Sequence, residues 1–214
     1  MIGLVLGLIL NALGNGLCIS SNMGSGIWTA SAVNMHQWLG IDTGVLLIII
    51  GVINALTNQI LIHKIDIKRF VGQIIFVLFY GYFIDIFTWI FDQLGMPHYN
   101  IVARGFFAIL GIVFFCIAIS LYQRANIIMH PNDDTTNILR FHYLKGNATL
   151  SQVIDFIPPI IVVLISFIYT HQIYSINIAT LFSIIFNGIL IATADKYIWP
   201  GLKHNFTVKF QNRS

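Results

Sequence analysis

The chain has 214 residues, of which 57% are hydrophobic and only 9% charged, with a mean hydropathy of +0.82. A soluble domain averages roughly a quarter charged residues, so this chain cannot cover itself in water and lipid must be its main solvent. The formal charge of +3 gives no nucleic-acid partner, because the basic residues sit in the gaps between apolar runs rather than in one patch.

A membrane span needs about 20 mainly apolar residues. Such runs occur at 2–20, 44–63, 70–91, 101–122, 153–170 and 177–196. The first lacks a basic leader and carries Asn11 and Asn15, so it reads as a retained helix rather than a secretory signal. On a helical wheel Gly3, Gly7, Asn11, Gly14, Asn15 and Cys18 fall within about 120° of each other. Small residues at this spacing predict close helix packing, and the two amides predict interhelical hydrogen bonds or the lining of a polar site.

The link 21–43 has only Asp42 as a charge, and Gly24 and Gly26 precede a short helix over 28–39. A glycine-rich, uncharged turn before a half-length helix favours partial insertion into the membrane. The alternative is a helix lying flat on the surface, anchored by Trp28 and Trp38.

The second span carries Gly51, Asn54 and Asn58 on one side. In the third, Asp85 lies roughly 7 Å from the span's middle and shares an arc of about 140° with Gln73, Tyr80, Gly81 and Thr88. A charged Asp near a helix centre costs about 2.5–3.5 kcal/mol on insertion scales, so Asp85 is expected to face protein or water.

After the fourth span, the link 123–152 is more polar. Pro131 followed by Asn132, Asp133 and Asp134 predicts a helix start, and its polarity predicts a helix near the surface. Ser183 and Asn187 give the sixth span a weaker polar side, and Asp155 and Asp195 read as interfacial at span ends. Cys18 and Cys116, inside apolar runs, read as buried free thiols.

Placing the N-terminus inside puts Lys64, Lys68, Arg69, Arg124, Arg140, Lys145, Lys196, Lys203, Lys209 and Arg213 on the cytoplasmic side, leaving only Arg104 outside. Both termini are therefore expected in the cytoplasm. The order span, polar helix, span, span occurs twice, and a shift of 104 aligns Leu6-Gly7 with Leu110-Gly111, Asn22 with Asn126 and Ile27 with Pro131. The fold class is thus an all-α, polytopic bundle of about six transmembrane helices. The reading extends to two inverted three-helix repeats, each with a short interfacial or re-entrant helix, in a single membrane domain: 1–91, 101–196 and a cytoplasmic tail 197–214.

The glycine-rich first span, the run Gly24-Ser25-Gly26-Ile27-Trp28-Thr29 and the third-span segment Gly72-Gln73…Gly81-Tyr82-Phe83-Ile84-Asp85 resemble the YczE/YyaS/YitT group of bacterial membrane proteins, closest to the YczE branch. The family pattern after the first span is roughly Gly-x-x-Pro-Trp-Asp. This chain keeps Gly24 and Trp28 with Ile27 for the proline and Thr29 for the aspartate, whereas the second link keeps Pro131 and Asp133. The resemblance implies a bacterial inner-membrane protein, often guessed to be a transporter, and carries over no catalytic residue.

Seven histidines are scattered without metal-ligand or catalytic spacing, and no nucleophile, phosphate-loop or paired-carboxylate motif occurs. The expectation is a non-enzyme with no cofactor and no metal. The polar faces of the first three spans point to a small-solute permease or exporter, with a non-transporting scaffold for a synthetase, pump or sensor as the alternative. Candidate binding residues are Asp85, Asn11, Asn15, Asn54, Asn58 and Tyr80, with Gly24, Gly26 and Trp28 as the motif. The partners expected are the lipid bilayer and a small polar or cationic solute, and a homo-oligomer is left open.

Overall fold

The computed structural model describes residues 1–206; residues 207–214, with Lys209 and Arg213 of the basic tally, lie outside the described residues. The described chain is helical throughout. Its helices are α1 (Ile2–Ser21), α2 (Ile27–Leu39), α3 (Thr43–Leu61), α4 (Ile67–Gln93), α5 (Ile101–Ala125), α6 (Pro131–Ile138), α7 (Ala148–Thr170) and α8 (Ile178–Tyr197). A 3₁₀ turn covers Met96–His98, and a π-helical turn continues α6 over Leu139–Tyr143.

Six of these, all but α2 and α6, are long and apolar enough to cross a membrane, with mean hydropathies of 1.8 to 2.5. In hydrocarbon every backbone polar group must be satisfied internally, which forces such runs into helices. Five of the six starts, all but that of α1, are closed by side chains that accept first-turn N–H groups, from Asp42, Asp66, Asn100, Asn147 and Asn177. The Asn147 cap starts α7 at Ala148, earlier than the apolar run at 153.

α1 and α5 cross as antiparallel neighbours at the centre. An added Cβ at Gly14 would meet the Gly111 carbonyl oxygen at 2.6 Å, one at Gly111 would meet the Gly14 oxygen at 2.6 Å, and one at Gly7 would meet the Ala118 oxygen at 3.1 Å. The small-residue stripe is therefore a backbone-to-backbone packing seam, as its spacing predicts. The second cysteine-bearing stretch joins this core, with Cys18 and Cys116 both buried and free.

Both central helices end on an asparagine in the left-handed region, Asn22 at φ 50° and Asn126 at φ 47°. Asparagine tolerates that conformation, and it turns the chain back on itself. Five residues beyond each cap a second helix begins, at Ile27 and at Pro131. At Gly24, φ 99°, an added Cβ would meet Thr180 Oγ1 at 2.7 Å, so the first reversal lies tight against α8.

α2, at 13 residues, is about 20 Å long and reaches only part-way through a hydrocarbon core of about 30 Å. Its first residue, Ile27, packs with Phe156 and Val163, on either side of the middle of α7. Its last turn emerges beside the end of α7, where Trp38 stacks on Tyr169 at 4.6 Å. α2 is thus re-entrant, its N-terminus at mid-depth, and not flat on the surface.

α6 is re-entrant too, which corrects the expectation that its polarity holds it at the surface: all eight residues of Pro131–Ile138 are buried. His130, just before it, lies edge-on to Phe76 and Tyr80 near the middle of α4, with ring centroids 5.7 and 6.1 Å away. Arg140, at its far end, reaches Asp195 near the end of α8 at 2.6 Å. The polar groups of α6 meet protein partners instead of water, which is what makes its burial tolerable.

Packing follows a regular scheme. α1 lies against α4 and α5, α5 against α8, α2 against α3 and α7, α6 against α3 and α7, α3 against α4, and α7 against α8. Each pairing maps onto another, or onto itself, when α1 is exchanged with α5, α2 with α6, α3 with α7 and α4 with α8.

Candidate functional site

The starts of the two half-helices face one polar cavity of about 90 Å³. Gly26 to Thr29 line it from α2, and His130, Asn132 and Asp133 from α6. Asn11 and Asn15 of α1, Tyr80 of α4, Gln152 and Asp155 of α7 and Asn187 of α8 complete its polar wall. Phe115, Ile119 and Phe156 supply apolar surface.

A continuous hydrogen-bonded chain runs along one side. Asn15 Nδ2 donates to Tyr80 Oη at 2.9 Å and to Asn11 Oδ1 at 2.7 Å. The Tyr80 hydroxyl also donates to Asn11 Oδ1, and Asn11 Nδ2 donates to Tyr122 Oη at 2.9 Å. The Tyr122 hydroxyl in turn donates to Asp133. Across the cavity Trp28 Nε1 donates to Asp155 Oδ2 at 2.7 Å.

Helix starts expose backbone N–H groups and carry a partial positive charge, so a carboxylate beside each is favourable. Asp133 lies in the first turn of α6, and Asp155 is held against the first turn of α2 by Trp28. The N–H of Asn132 is directed at His130 Nδ1 at 3.3 Å, which leaves the ring proton on Nε2. Burial pushes the His130 imidazole down to about 4, so it stays neutral at physiological pH. Burial likewise raises the Asp133 carboxyl to about 7, against the opposing hydrogen bond from Tyr122. Asn132 is only 5% exposed, and its Oδ1 is buried with no hydrogen-bond partner.

Asp134, next in sequence, faces the other way. Arg69 Nε donates to it at 2.5 Å, and Arg69 Nη2 and Gln73 Nε2 also bind it. These residues, with Asp66, Lys68 and Asn126, line a second polar pocket of about 220 Å³. The first turn of α6 thus separates the two pockets, with one carboxyl on each side. At the same end of the bundle Asp195 takes Arg140 at 2.6 Å and His204 at 3.1 Å, tying α8 to the π turn and to the segment after α8.

The sequence-derived candidates divide. Asn11, Asn15 and Tyr80 come together at the cavity, and of the motif Gly26 and Trp28 line it while Gly24 makes the turn that delivers them. Asn58 does not line the cavity; its Nδ2 donates to the Pro131 oxygen at 2.9 Å and its Oδ1 accepts from Thr135 at 2.8 Å, so it holds α6 in place. Asn54 turns back on its own helix, donating to the Ile50 oxygen at 3.1 Å.

Asp85 lies apart. It is exposed on the outer side of α4, and neighbouring Gly81 has nothing within 4 Å of an added Cβ. The arc it shares with Gln73 and Tyr80 spans more surface than α4 buries: only Gly72, Gln73 and Phe76 of this helix are buried. Asp155 also corrects its expectation. It is 5% exposed and well inside α7, because the helix starts at Ala148 and carries the carboxyl inward. Sequence reasoning missed Asn132, Asp133, Asp155, Gln152 and Asn187 as lining residues. The available signal was the shift of 104, which places His130 opposite Gly26 and Asn132 opposite Trp28.

A family model matches residues 1–196. The chain belongs to the DUF6198 family. That family is described as one of unknown function, and its match covers both half-helices and every cavity residue named above. No curated protein and no solved structure matches this DUF6198 chain.

Proposed function

We propose that this protein is a small-solute permease or exporter whose solute binds in the cavity between the starts of α2 and α6. The observation that carries the reading is that two half-helices, neither long enough to cross a membrane, start inside the bundle on one cavity that polar side chains of both help to line. Irregular backbone at membrane depth persists only where it is buried in protein or lines a cavity, and half-helix starts there are a recurrent way to bind solutes.

The proposal includes two inverted repeats, 1–91 and 101–196. The exchange-invariant packing supports this, and so do the matching caps at Asn22 and Asn126. The α1–α5 seam supports it too: the contact of Gly7 with Ala118 maps under the shift of 104 onto that of Gly111 with Gly14. Two copies related in this way rock about a fixed central site, which is the simplest route to alternating access.

The proposal also sets both termini in the cytoplasm of a bacterial inner membrane, from the basic-residue asymmetry and the YczE-like resemblance. Reporter fusions at residues 96 and 206 should lie on opposite sides of the membrane. The transport reading itself is tested by uptake into proteoliposomes loaded and challenged with a metabolite panel. Failure of every solute to cross more than in protein-free vesicles counts against it.

The bare face of α4 favours a second reading. Asp85 in hydrocarbon is costly unless covered, so a scaffold or homo-oligomer with a partner helix on α4 is the alternative. Cross-linking from a cysteine at position 85 in native membranes would reveal such a partner.

A further inference from the structure

We propose that the central cavity binds a small organic ammonium cation, held by Asp155 and Asp133 with Asn132 as the third acceptor. This deepens the permease reading and rests on it only for the claim that the ion is carried across.

The charge inventory of the cavity decides the sign. Two carboxyl groups line it, and no lysine or arginine does. Arg69 is committed to Asp134 on the far side of the α6 turn, and Arg124 and Arg140 to Asp195. The only other titratable lining side chain besides Tyr80 is His130, which is neutral because its Nδ1 is an acceptor. An anion drawn to the half-helix starts would find each already answered by a protein carboxyl. A cation finds two acids, and it is itself the group that draws the Asp133 proton off below its raised value of about 7.

The free acceptors then decide the kind of cation. Tyr122 and Trp28 each occupy Oδ2 of their aspartate, so Oδ1 of Asp133 and of Asp155 receives no hydrogen bond among the described residues. Asn132 Oδ1, buried without a partner, is a further acceptor in the same wall. An alkylammonium head carries three N–H donors, as a lysine head does, and so matches three acceptors. The aromatic side chains Trp28, Phe115 and Phe156 lie in the same wall, where they suit an alkyl group and attract a cation over their faces.

The test uses the purified full-length protein and methylammonium chloride at constant ionic strength. Methylammonium should raise the melting temperature saturably, and Asp155→Asn should weaken its apparent affinity by about tenfold or more. The asparagine still offers an oxygen to Trp28, so the variant should fold, which gel filtration checks. Asn132→Ala should weaken affinity as well, while Asp85→Asn should bind as the unmodified protein does. An equal shift with sodium chloride overturns the ammonium assignment in favour of a metal ion, and a shift with sodium acetate alone overturns the charge assignment. No saturable shift with methylammonium overturns the proposal outright.

Labelled methylammonium in proteoliposomes separates this proposal from the permease reading. Asp155-dependent binding without uptake keeps the cation site and ends the permease. Uptake of a neutral or anionic solute, unaffected by Asp155→Asn, does the reverse.

Discussion

α2 and α6 occupy matching places in the bundle, yet they are built from opposite chemistries. Residues 27–39 carry no charge, and α2 starts on Gly26 without a side-chain cap. α6 starts on His130, which caps it, and holds Asp133 and Asp134 in its first turn. Both nevertheless start inside the bundle and run toward one of its ends. Insertion is therefore set by the chain reversal after Asn22 and Asn126 and by the slot between α3 and α7, not by hydropathy. Polarity decides only what each half-helix meets on arrival. α2 packs Ile27 on Phe156 and Val163, whereas α6 finds Arg69, Gln73, Tyr122, Gln123 and Asn58.

This contrast breaks most readily at Asp134. Asp134→Leu leaves the Arg69 guanidinium and Gln73 without their acceptor, and loss of one partner from a buried pair costs about 3–5 kcal/mol. The shift of 104 pairs Asp134 with Ala30, where Ala30→Ser has no ion pair to lose and should cost far less. Melting in detergent compares the two, and equal midpoints would show that α6 does not depend on its polar partners.

Asn58→Ala should come next. It removes two hydrogen bonds to α6 while leaving the Thr135 hydroxyl with the Pro131 oxygen, so the expected loss is about 2 kcal/mol. Hydrogen exchange over 131–143 should rise while exchange over 27–39 stays as it was. A rise in both segments would mean that the half-helices are not held separately.

A smaller effect distinguishes the two starts by pH. The folded protein keeps the Asp133 proton up to about 7, whereas an ordinary Asp loses it near 3.8. The folded state therefore binds more protons in between, and this contribution to stability is lost as pH rises through that window. His130, held neutral down to about 4, acts in the opposite sense: its contribution is lost as pH falls from about 6.5 toward 4. The Asp133 effect is thus read as a difference. Asp133→Asn should gain on the unmodified protein from pH 5 to pH 8, and a constant gap between their melting temperatures would refute it.

The smallest expected change is at Asp85. Lying outside the cavity, Asp85→Asn should leave solute uptake within about twofold of the unmodified protein. Loss of uptake would return Asp85 to the site and point to a partner helix over α4.

The spans, their number and most of their ends were legible in the sequence. Apolar runs of this length have one stable form in hydrocarbon, and Asp and Asn caps mark where they start. The Gly7 and Gly14 side of the α1–α5 seam was legible for the same local reason: spacing along one helix places small residues on one face. Asn11, Asn15 and Tyr80 could be picked out because an amide or hydroxyl in an apolar run has no neutral place to go. Asp85 satisfies the same criterion and lies outside, because a wheel shows which residues share a face but not which face is covered. Asp133 and Asp155 were hidden for the complementary reason. Asp133 sits in a stretch whose composition reads as surface and Asp155 at what reads as the end of a span, and only the folding back of α2 and α6 into the bundle, with the early start of α7, covers them. Hydropathy is a property of a segment. A cavity belongs to the surfaces of seven helices at once, and no one of those segments carries it.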